Sequence, residues 1–365
     1  MKWGPQQELA LKAVDRWFYT DSKKQQIFRV FGFAGTGKST LARHFAANID
    51  GDVLFAAFTG KAALVMRKNG CQGARTIHSL LYKAIEADDG TVHFEFNHAS
   101  DISQCSLVII DECSMVDEAL AKDLLSFGKP ILVLGDPAQL PPVEGAGFFT
   151  ECEPDVMLTE IHRQSADNPI IHLATQVRMG NLLNLGTYGE SKVIAKPMLS
   201  DAKAADQILV GRNATRESMN LRMRKLLEFK GEMPMAGERL ICLKNDRDLG
   251  IFNGGTFTVG REIRKNYPTQ FMFMALQAEG ESGIPTVVKV HKSFFTADVP
   301  KPDWRMLKGS QEFDYGYAIT VHKAQGSQWD HVMVQDESWC FREMNLRWLY
   351  TGITRSSQKV TIVKS

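Results

Sequence analysis

The sequence predicts an α/β protein built on parallel sheets, and three observations carry that reading. A glycine-rich turn of phosphate-binding pattern lies between an apolar strand and a helix. Further apolar runs recur after it, each ending in a polar or glycine-containing segment. Helical stretches separate those runs, as in a sheet covered on both faces. The turn is Gly32-Phe33-Ala34-Gly35-Thr36-Gly37-Lys38-Ser39, which fits the pattern G-x-x-x-x-G-K-[ST]. Gln26–Phe31 leads into it as a strand and Thr40–Phe45 leaves it as a helix. Glycines let backbone N–H groups turn inward around a phosphate, and the helix N-terminus adds partial positive charge. Lys38 is placed to reach the β/γ-phosphates and Ser39 to ligate Mg²⁺, so the chain is read as binding a nucleoside triphosphate.

The later strands are Val53–Phe58, Leu107–Ile110 and Ile131–Leu134. They end in Thr59-Gly60-Lys61, Asp111-Glu112 and Gly135-Asp136-Pro137. Ligands of parallel sheets bind at the carboxyl ends of the strands, so these segments should converge with the phosphate loop. Asp111 and Glu112 are adjacent carboxylates that repel one another unless a cation and Lys38 relieve them. Asp111 is the candidate Mg²⁺ holder and Glu112 the candidate general base toward water. Gln139, in Asp136-Pro137-Ala138-Gln139-Leu140-Pro141-Pro142, either senses a γ-phosphate or closes a structural turn; a neutral amide both donates and accepts.

From about Ile161 the alternation weakens and then recurs. Asp206–Gly211, Met333-Val334 and Val360–Val363 read as strands and Ala214–Phe229 as a helix, giving a second α/β domain. Between 251 and 310 the texture changes to short strands between turns: Gly254–Gly260, Phe271–Leu276 and Thr286–Val290. That segment reads as a small inserted β-barrel. The expected domains are 1–160, with a small hairpin insert at about 81–100; 161–250 with 311–365; and the insert 251–310.

The 365 residues have ordinary composition, 44% hydrophobic and 23% charged, and a formal net charge of +1. Whole-chain charge therefore gives no sign of nucleic-acid binding, which would need a local groove. The six cysteines, Cys71, Cys105, Cys113, Cys152, Cys242 and Cys340, form no C-x-x-C pair, so reduced thiols are expected rather than a zinc site. The start of the chain lacks the apolar core of a signal peptide, and no apolar run reaches membrane-spanning length. A cytoplasmic protein without a membrane partner is expected.

Taken together, the motifs resemble those of superfamily 1 helicases, most closely the RecD-like and Dda-like 5′→3′ DNA helicases, in the family's order and over nearly the whole chain. Gly32–Ser39 matches motif I, and Ala57–Ala63 resembles motif Ia. Ala74–Leu80 resembles the Thr-Ile-His element, and Ile110–Met115 matches motif II. Gly135–Pro142 matches motif III, and Leu158–Gln164 is similar to motif IV. Thr320–Gln328 resembles motif V, and Tyr350–Arg355 matches motif VI. The resemblance implies two RecA-like parallel-sheet P-loop domains with an inserted SH3-like β-barrel, ATP between them, and Mg²⁺ as its companion.

It further implies arginine fingers at Arg163 and Arg355, which is chemically sound because charge accumulates on the γ-phosphoryl group in the transition state. Nucleotide contacts would come from Gln7, Gly32, Ala34, Gly35, Thr36, Gly37, Lys38, Ser39, Thr40, Gln325 and Gly326; Gln6 leaves the register of Gln7 open. Thr59, Lys61, Thr76 and His78, with Thr320, His322 and Lys323, match positions that line a single-strand channel; Phe58 and Trp329, further nucleic-acid candidates, stack on bases or pack in the core. The implied activity is unwinding of duplex DNA 5′→3′ by a single-strand translocase. An RNA helicase, or a translocase that remodels bound proteins without efficient unwinding, are the rival readings. Single-stranded DNA and fork junctions, and a replication or single-strand-binding protein, are the implied partners of a monomer.

Overall fold

The computed structural model describes residues 3–86, 92–141, 147–160, 167–244, 246, 249, 251, 253–262, 270–279, 285–296 and 298–364. It divides into two compact units, Met1–Leu183 with Leu346–Thr354, and Asn184–Asn345 with Arg355–Ser365.

In the first unit the strands are β1 (Ile27–Gly32), β2 (Val53–Ala57), β3 (Arg75–Thr76), β4 (Tyr82–Glu86), β5 (Val92–Phe96), β6 (Leu107–Asp111), β7 (Ile131–Gly135) and β8 (Val156–Leu158). Six form one sheet in the order β3-β2-β6-β7-β1-β8, and every pairing in it is parallel. Its apolar strands are buried on both faces, as their composition predicts. On β6, Leu107 and Ile109 enter one core cluster while Val108 and Ile110 enter another, and Leu132/Leu134 and Ile131/Val133 of β7 divide the same way. Period-2 alternation thus feeds two helical layers. Helices α1 (Pro5–Arg16) and α2 (Lys38–Ala46) supply Ala10, Val14, Leu41 and Phe45 to one cluster. After α3 (Gly60–Lys68), helices α4 (Ile77–Leu81) and α5 (Glu118–Leu125) supply Ile77, Leu80, Leu81 and Leu124 to the other.

Helix starts of this unit use side-chain caps of the preferred kind. Thr59 accepts from Ala62 N–H at 3.1 Å, Thr76 from Ser79 N–H at 3.1 Å, and Asp117 from Leu120 N–H at 2.8 Å. The short insert is an antiparallel ribbon pairing Tyr82 with Phe96 through Glu86 with Val92. Helix α6 (Pro169–Arg178) and the later helix Asn345–Ile353 complete the unit. Both lie beyond residue 160, the expected end of the first domain.

The second unit holds β9 (Gly186–Tyr188), β10 (Ser191–Ile194), α7 (Leu199–Ala204), β11 (Gln207–Val210), α8 (Asn213–Leu226), β12 (Arg239–Cys242), β13 (Thr256–Glu262), β14 (Phe271–Ala278), β15 (Thr286–His291), β16 (Phe313–Tyr315), β17 (Ala318–Thr320), β18 (Trp329–Gln335) and β19 (Ser356–Val363). One sheet runs β17-β11-β18-β19-β10-β9 and is parallel except at its β9 edge. The other runs β15-β14-β13-β12-β16 and is antiparallel throughout. It starts at Arg239 and ends at Tyr315, so β12 and β16 extend it beyond the 251–310 expected from texture. Its inward residues share one core with the parallel sheet: Leu240, Phe257, Met274 and Phe313 cluster with Ile208, Val210 and Ala318. Among the described residues no helix is long and apolar enough to cross a membrane.

Candidate nucleotide and strand-binding sites

The phosphate loop links β1 to α2 through two left-handed glycines, Gly35 at φ 81° and Gly37 at φ 84°. Gly37 is doubly constrained, since a Cβ there would meet Gln7 Nε2 at 2.6 Å. Gln7 is buried and spends its amide on this junction, donating to Thr36 O at 3.0 Å and accepting Gly4 N–H at 3.1 Å. Gln6 instead accepts from Thr159 and Glu160 N–H at 2.9 and 3.0 Å. Of the two glutamines, Gln7 is therefore the one held against the loop. Lys38 donates to Gly32 O at 2.6 Å and Phe33 O at 3.2 Å, so its ammonium lies across the loop. Thr40 follows on the first turn of α2, and Ala34 is engaged through its N–H, described below.

The carboxyl ends of β6 and β7 bring the other predicted groups to this loop. Ser39 Oγ donates to Asp111 Oδ2 at 2.6 Å. Asp111 Oδ1 accepts Glu112 N–H at 2.8 Å. Burial raises the Asp111 carboxyl above its usual range, the Glu112 charge raises it further, and Ser39 and Lys38 pull the other way. Such a pair suits a divalent cation, which would neutralise both charges; Ser39 and Asp111 are the residues to hold it. Among the described residues there is no group of three or more His, Cys, Asp or Glu side chains that could hold a metal ion. Glu112 has φ 54°, the left-handed region, where a non-glycine residue is strained.

From β7, Asp136 is 4% exposed and Gln139 8% exposed. Asp136 Oδ1 accepts Ala138 N–H at 2.9 Å, and its carbonyl accepts Gln139 N–H at 3.1 Å. Tyr350 donates to Asp136 Oδ2 at 2.6 Å and accepts Ala34 N–H at 2.9 Å. Leu140 N–H donates to Thr351 Oγ1 at 2.9 Å. Asp136, Tyr350 and Thr351 stand inside the quoted motifs, but sequence reading assigned them no role; only their motif membership signalled them. Arg178 adds a guanidinium 3.7 Å from the Phe33 ring centroid, which nothing in the sequence announced.

Among the strand-channel candidates, Thr59 follows β2 and Thr76 ends β3, and the two strands pair Ala57 with Thr76. Thr59, Lys61, Thr76 and His78 therefore gather at one sheet edge, with both threonine hydroxyls engaged as helix caps. The His78 ring lies 4.6 Å from Tyr82 and 4.7 Å from Phe94, at the base of the β4–β5 ribbon. Phe58 is half-buried and packs on the core cluster of α4 and α5, the packing alternative of its two readings.

In the second unit Thr320 Oγ1 accepts Lys323 N–H at 3.3 Å. His322 lies 5.5 Å from Phe341, and burial holds its pKa below the usual imidazole value. Trp329 is buried, at 8% exposure. Gln325 is buried and Gly326 takes φ 71°. Arg355, also buried, precedes β19 and accepts Trp329 N–H at its carbonyl at 3.0 Å. Arg163 lies outside the described residues.

A family model described as the AAA domain matches residues 11–196, and one described as the UvrD-like helicase C-terminal domain matches 315–363. The chain belongs to the AAA-domain family. Within it the chain groups with superfamily 1 helicases of the RecD/Dda-like kind. It is 29% identical over 361 residues to the ATP-dependent RecD2 DNA helicase of Deinococcus radiodurans, covering 90% of this chain and 45% of that protein. It is 35% identical over 177 residues to the ATP-dependent DNA helicase dda of Enterobacteria phage T4, covering 43% of this chain and 39% of that one. The chain thus spans less than half the length of these relatives. Among solved structures, Bacteroides Pif1 bound to ssDNA superposes with a TM-score of 0.60 at 17% identity, over 99% of this chain and 92% of that one. Pif1 from Candida albicans gives 0.56 at 18%, over 100% and 94%. These likenesses establish the fold of two RecA-like domains for this helicase-family chain.

Proposed function

We propose that the protein is an ATP- and Mg²⁺-dependent DNA helicase that translocates on single-stranded DNA and unwinds duplex 5′→3′. The observation that carries the ATPase half is the meeting of Lys38, Ser39, Asp111 and Glu112 at one sheet edge, with Ser39 2.6 Å from Asp111. The DNA half is supported by the names of the RecD2 and dda relatives.

In this reading the loop N–H groups and Lys38 bind and orient the triphosphate, and Ser39 and Asp111 hold the cation. Bound Mg²⁺ would supply charge neutralisation at the phosphate oxygens. Glu112 accepts the proton of the attacking water, and Gln139 senses the γ-phosphate. Arg355 and Arg163 are proposed to stabilise charge on that phosphate, which is worth about 10³–10⁵ in kcat for such a finger. Gln7, Gln325 and Gly326 are proposed nucleotide contacts. The edge of Thr59, Lys61, Thr76 and His78, and the motif of Thr320, His322 and Lys323, are proposed to grip phosphates without reading bases. The β4–β5 ribbon is the proposed strand-separating element, and the antiparallel sheet the proposed SH3-like barrel. A cytoplasmic monomer fits this reading.

The test is steady-state ATP hydrolysis with no nucleic acid, with ssDNA and with ssRNA, beside unwinding of 5′-tailed and 3′-tailed duplexes. Strong stimulation by ssDNA and unwinding from the 5′ tail alone are expected, and Lys38→Ala should abolish both. Stimulation without unwinding from either tail would replace the helicase by a translocase that remodels bound proteins. Preferential stimulation by ssRNA would move the substrate to RNA. Normal turnover by Lys38→Ala would overturn the site.

A further inference from the structure

One hydroxyl is shared by the phosphate loop and the Gln139 turn. Tyr350 Oη accepts the N–H of Ala34, the third residue of the loop, at 2.9 Å, and donates to Asp136 Oδ2 at 2.6 Å. A phenol can do both at once, because it has one proton to give and lone pairs to receive; phenylalanine fills nearly the same volume and can do neither. The ring is 2% exposed. A buried aromatic position whose only task is to fill space needs no hydroxyl, and a polar group placed there must be matched. Here both matches fall on turns of the candidate ATP site rather than on neighbouring core backbone. The turn is fixed from two more sides: Asp136 binds the N–H groups of Ala138 and Gln139 through its side chain and carbonyl. The next residue of the tyrosine's helix, Thr351, takes Leu140 N–H.

We propose that Tyr350 is a positioning residue for ATP hydrolysis. Its hydroxyl fixes the phosphate loop against the Asp136–Gln139 turn, so that the loop amides and the Gln139 side chain meet the triphosphate as one preset group. Tyr350 itself touches no reacting atom. Without the hydroxyl, the Ala34 N–H loses its acceptor and the Asp136 carboxylate loses a donor inside a buried site. The loop and the turn then relax independently, and misplacement of about 1 Å at such a site costs on the order of 10²-fold in rate. The inference rests on the proposed reading of the Lys38, Asp111 and Glu112 site as an ATPase.

The experiment compares wild type, Tyr350→Phe and Lys38→Ala on the full chain. It reads kcat and KM for ATP, binding of a fluorescent ADP analogue, thermal midpoint, and hydrogen exchange of a peptide covering Phe33–Gly37. For Tyr350→Phe, kcat should fall by about 10- to 100-fold while KM changes by less than about 3-fold. The loop peptide should exchange faster by about 5- to 10-fold, as expected for one lost hydrogen bond, and the ADP analogue should still bind.

A hydroxyl with a purely structural role would lower the thermal midpoint and leave kcat at 25 °C unchanged. That result, or unchanged exchange at the loop, would overturn the proposal while wild-type hydrolysis and its dependence on Lys38 stand. Absence of Lys38-dependent hydrolysis in the wild type would instead remove the ATPase reading, and this inference with it.

Discussion

Glu112 combines a catalytic assignment with an unfavourable backbone, and the two can be separated by substitution. At φ 54° an L-residue in the left-handed region costs about 1–2 kcal/mol. Glycine removes that cost but gives back about 0.5–1 kcal/mol of extra unfolded-state entropy. Glu112→Gly should therefore stabilise the protein by about 0.5–1 kcal/mol, or about 1–4 °C for a unit of this size. Glu112→Gln keeps the strained backbone and removes only the charge that raises the Asp111 carboxyl, so it isolates the electrostatic part. Thermal and urea unfolding of the three proteins without nucleotide should rank glycine above glutamine, and both substitutions should lose ATP turnover. A glycine variant no more stable than the glutamine variant would refute the claim that the backbone at 112 stores strain.

Arg355→Ala should retain nucleotide binding and lose hydrolysis by about 10³-fold or more; unchanged kcat would show that another group serves. Glu238 and Arg224 form a buried two-point ion pair, Nε to Oε1 at 2.6 Å and Nη2 to Oε2 at 3.0 Å. Glu238→Gln leaves the guanidinium without its counter-charge and should cost about 3–5 kcal/mol, read as a lowered urea midpoint; a loss below about 1 kcal/mol would mean that the site takes up water. His291 and His331 are buried, and burial depresses both below the ordinary imidazole value of 6.5. The unfolded chain therefore gains protons before the folded one does. Their contribution is full above pH 6.5 and is lost as pH falls through it. Urea midpoints at pH 7.5 and 5.5 should differ more for wild type than for His331→Gln, and equal differences would exclude His331 from the effect.

The parallel core was legible because burial on both faces leaves few alternatives to apolar runs such as Leu107–Ile110 and Ile131–Leu134. The phosphate loop was legible for a different reason: its geometry demands glycine at Gly35 and Gly37, and demand of that kind is written in the sequence. Short strands escaped. Val156–Leu158, Arg239–Cys242 and Phe313–Tyr315 have too few residues for periodicity to register, and their membership is decided by partners far along the chain. For the same reason the antiparallel sheet begins before Ile251. Asp136 and Tyr350 were visible as letters of motifs, but their bond joins residues far apart in the chain, and no local pattern encodes it. Thr59 and Thr76 carry a further ambiguity, because a helix-capping threonine and a phosphate-binding threonine look alike in sequence.

The helix that carries Tyr350 is reached only after the chain has traversed most of the second unit, yet it belongs to the first. A polypeptide ending at Leu183 would contain the entire phosphate loop and both acidic residues of β6, but not Trp348 or Tyr350, which bury at 0% and 2% exposure. Neither unit is a contiguous stretch, and the boundary between Thr354 and Arg355 falls inside the segment matched by the UvrD-like model. A single cut, whether by a protease or by recombination, cannot divide this protein into two self-sufficient halves. The two units must be inherited and synthesised together, because the first cannot bury Trp348 and Tyr350 until the chain has passed through most of the second.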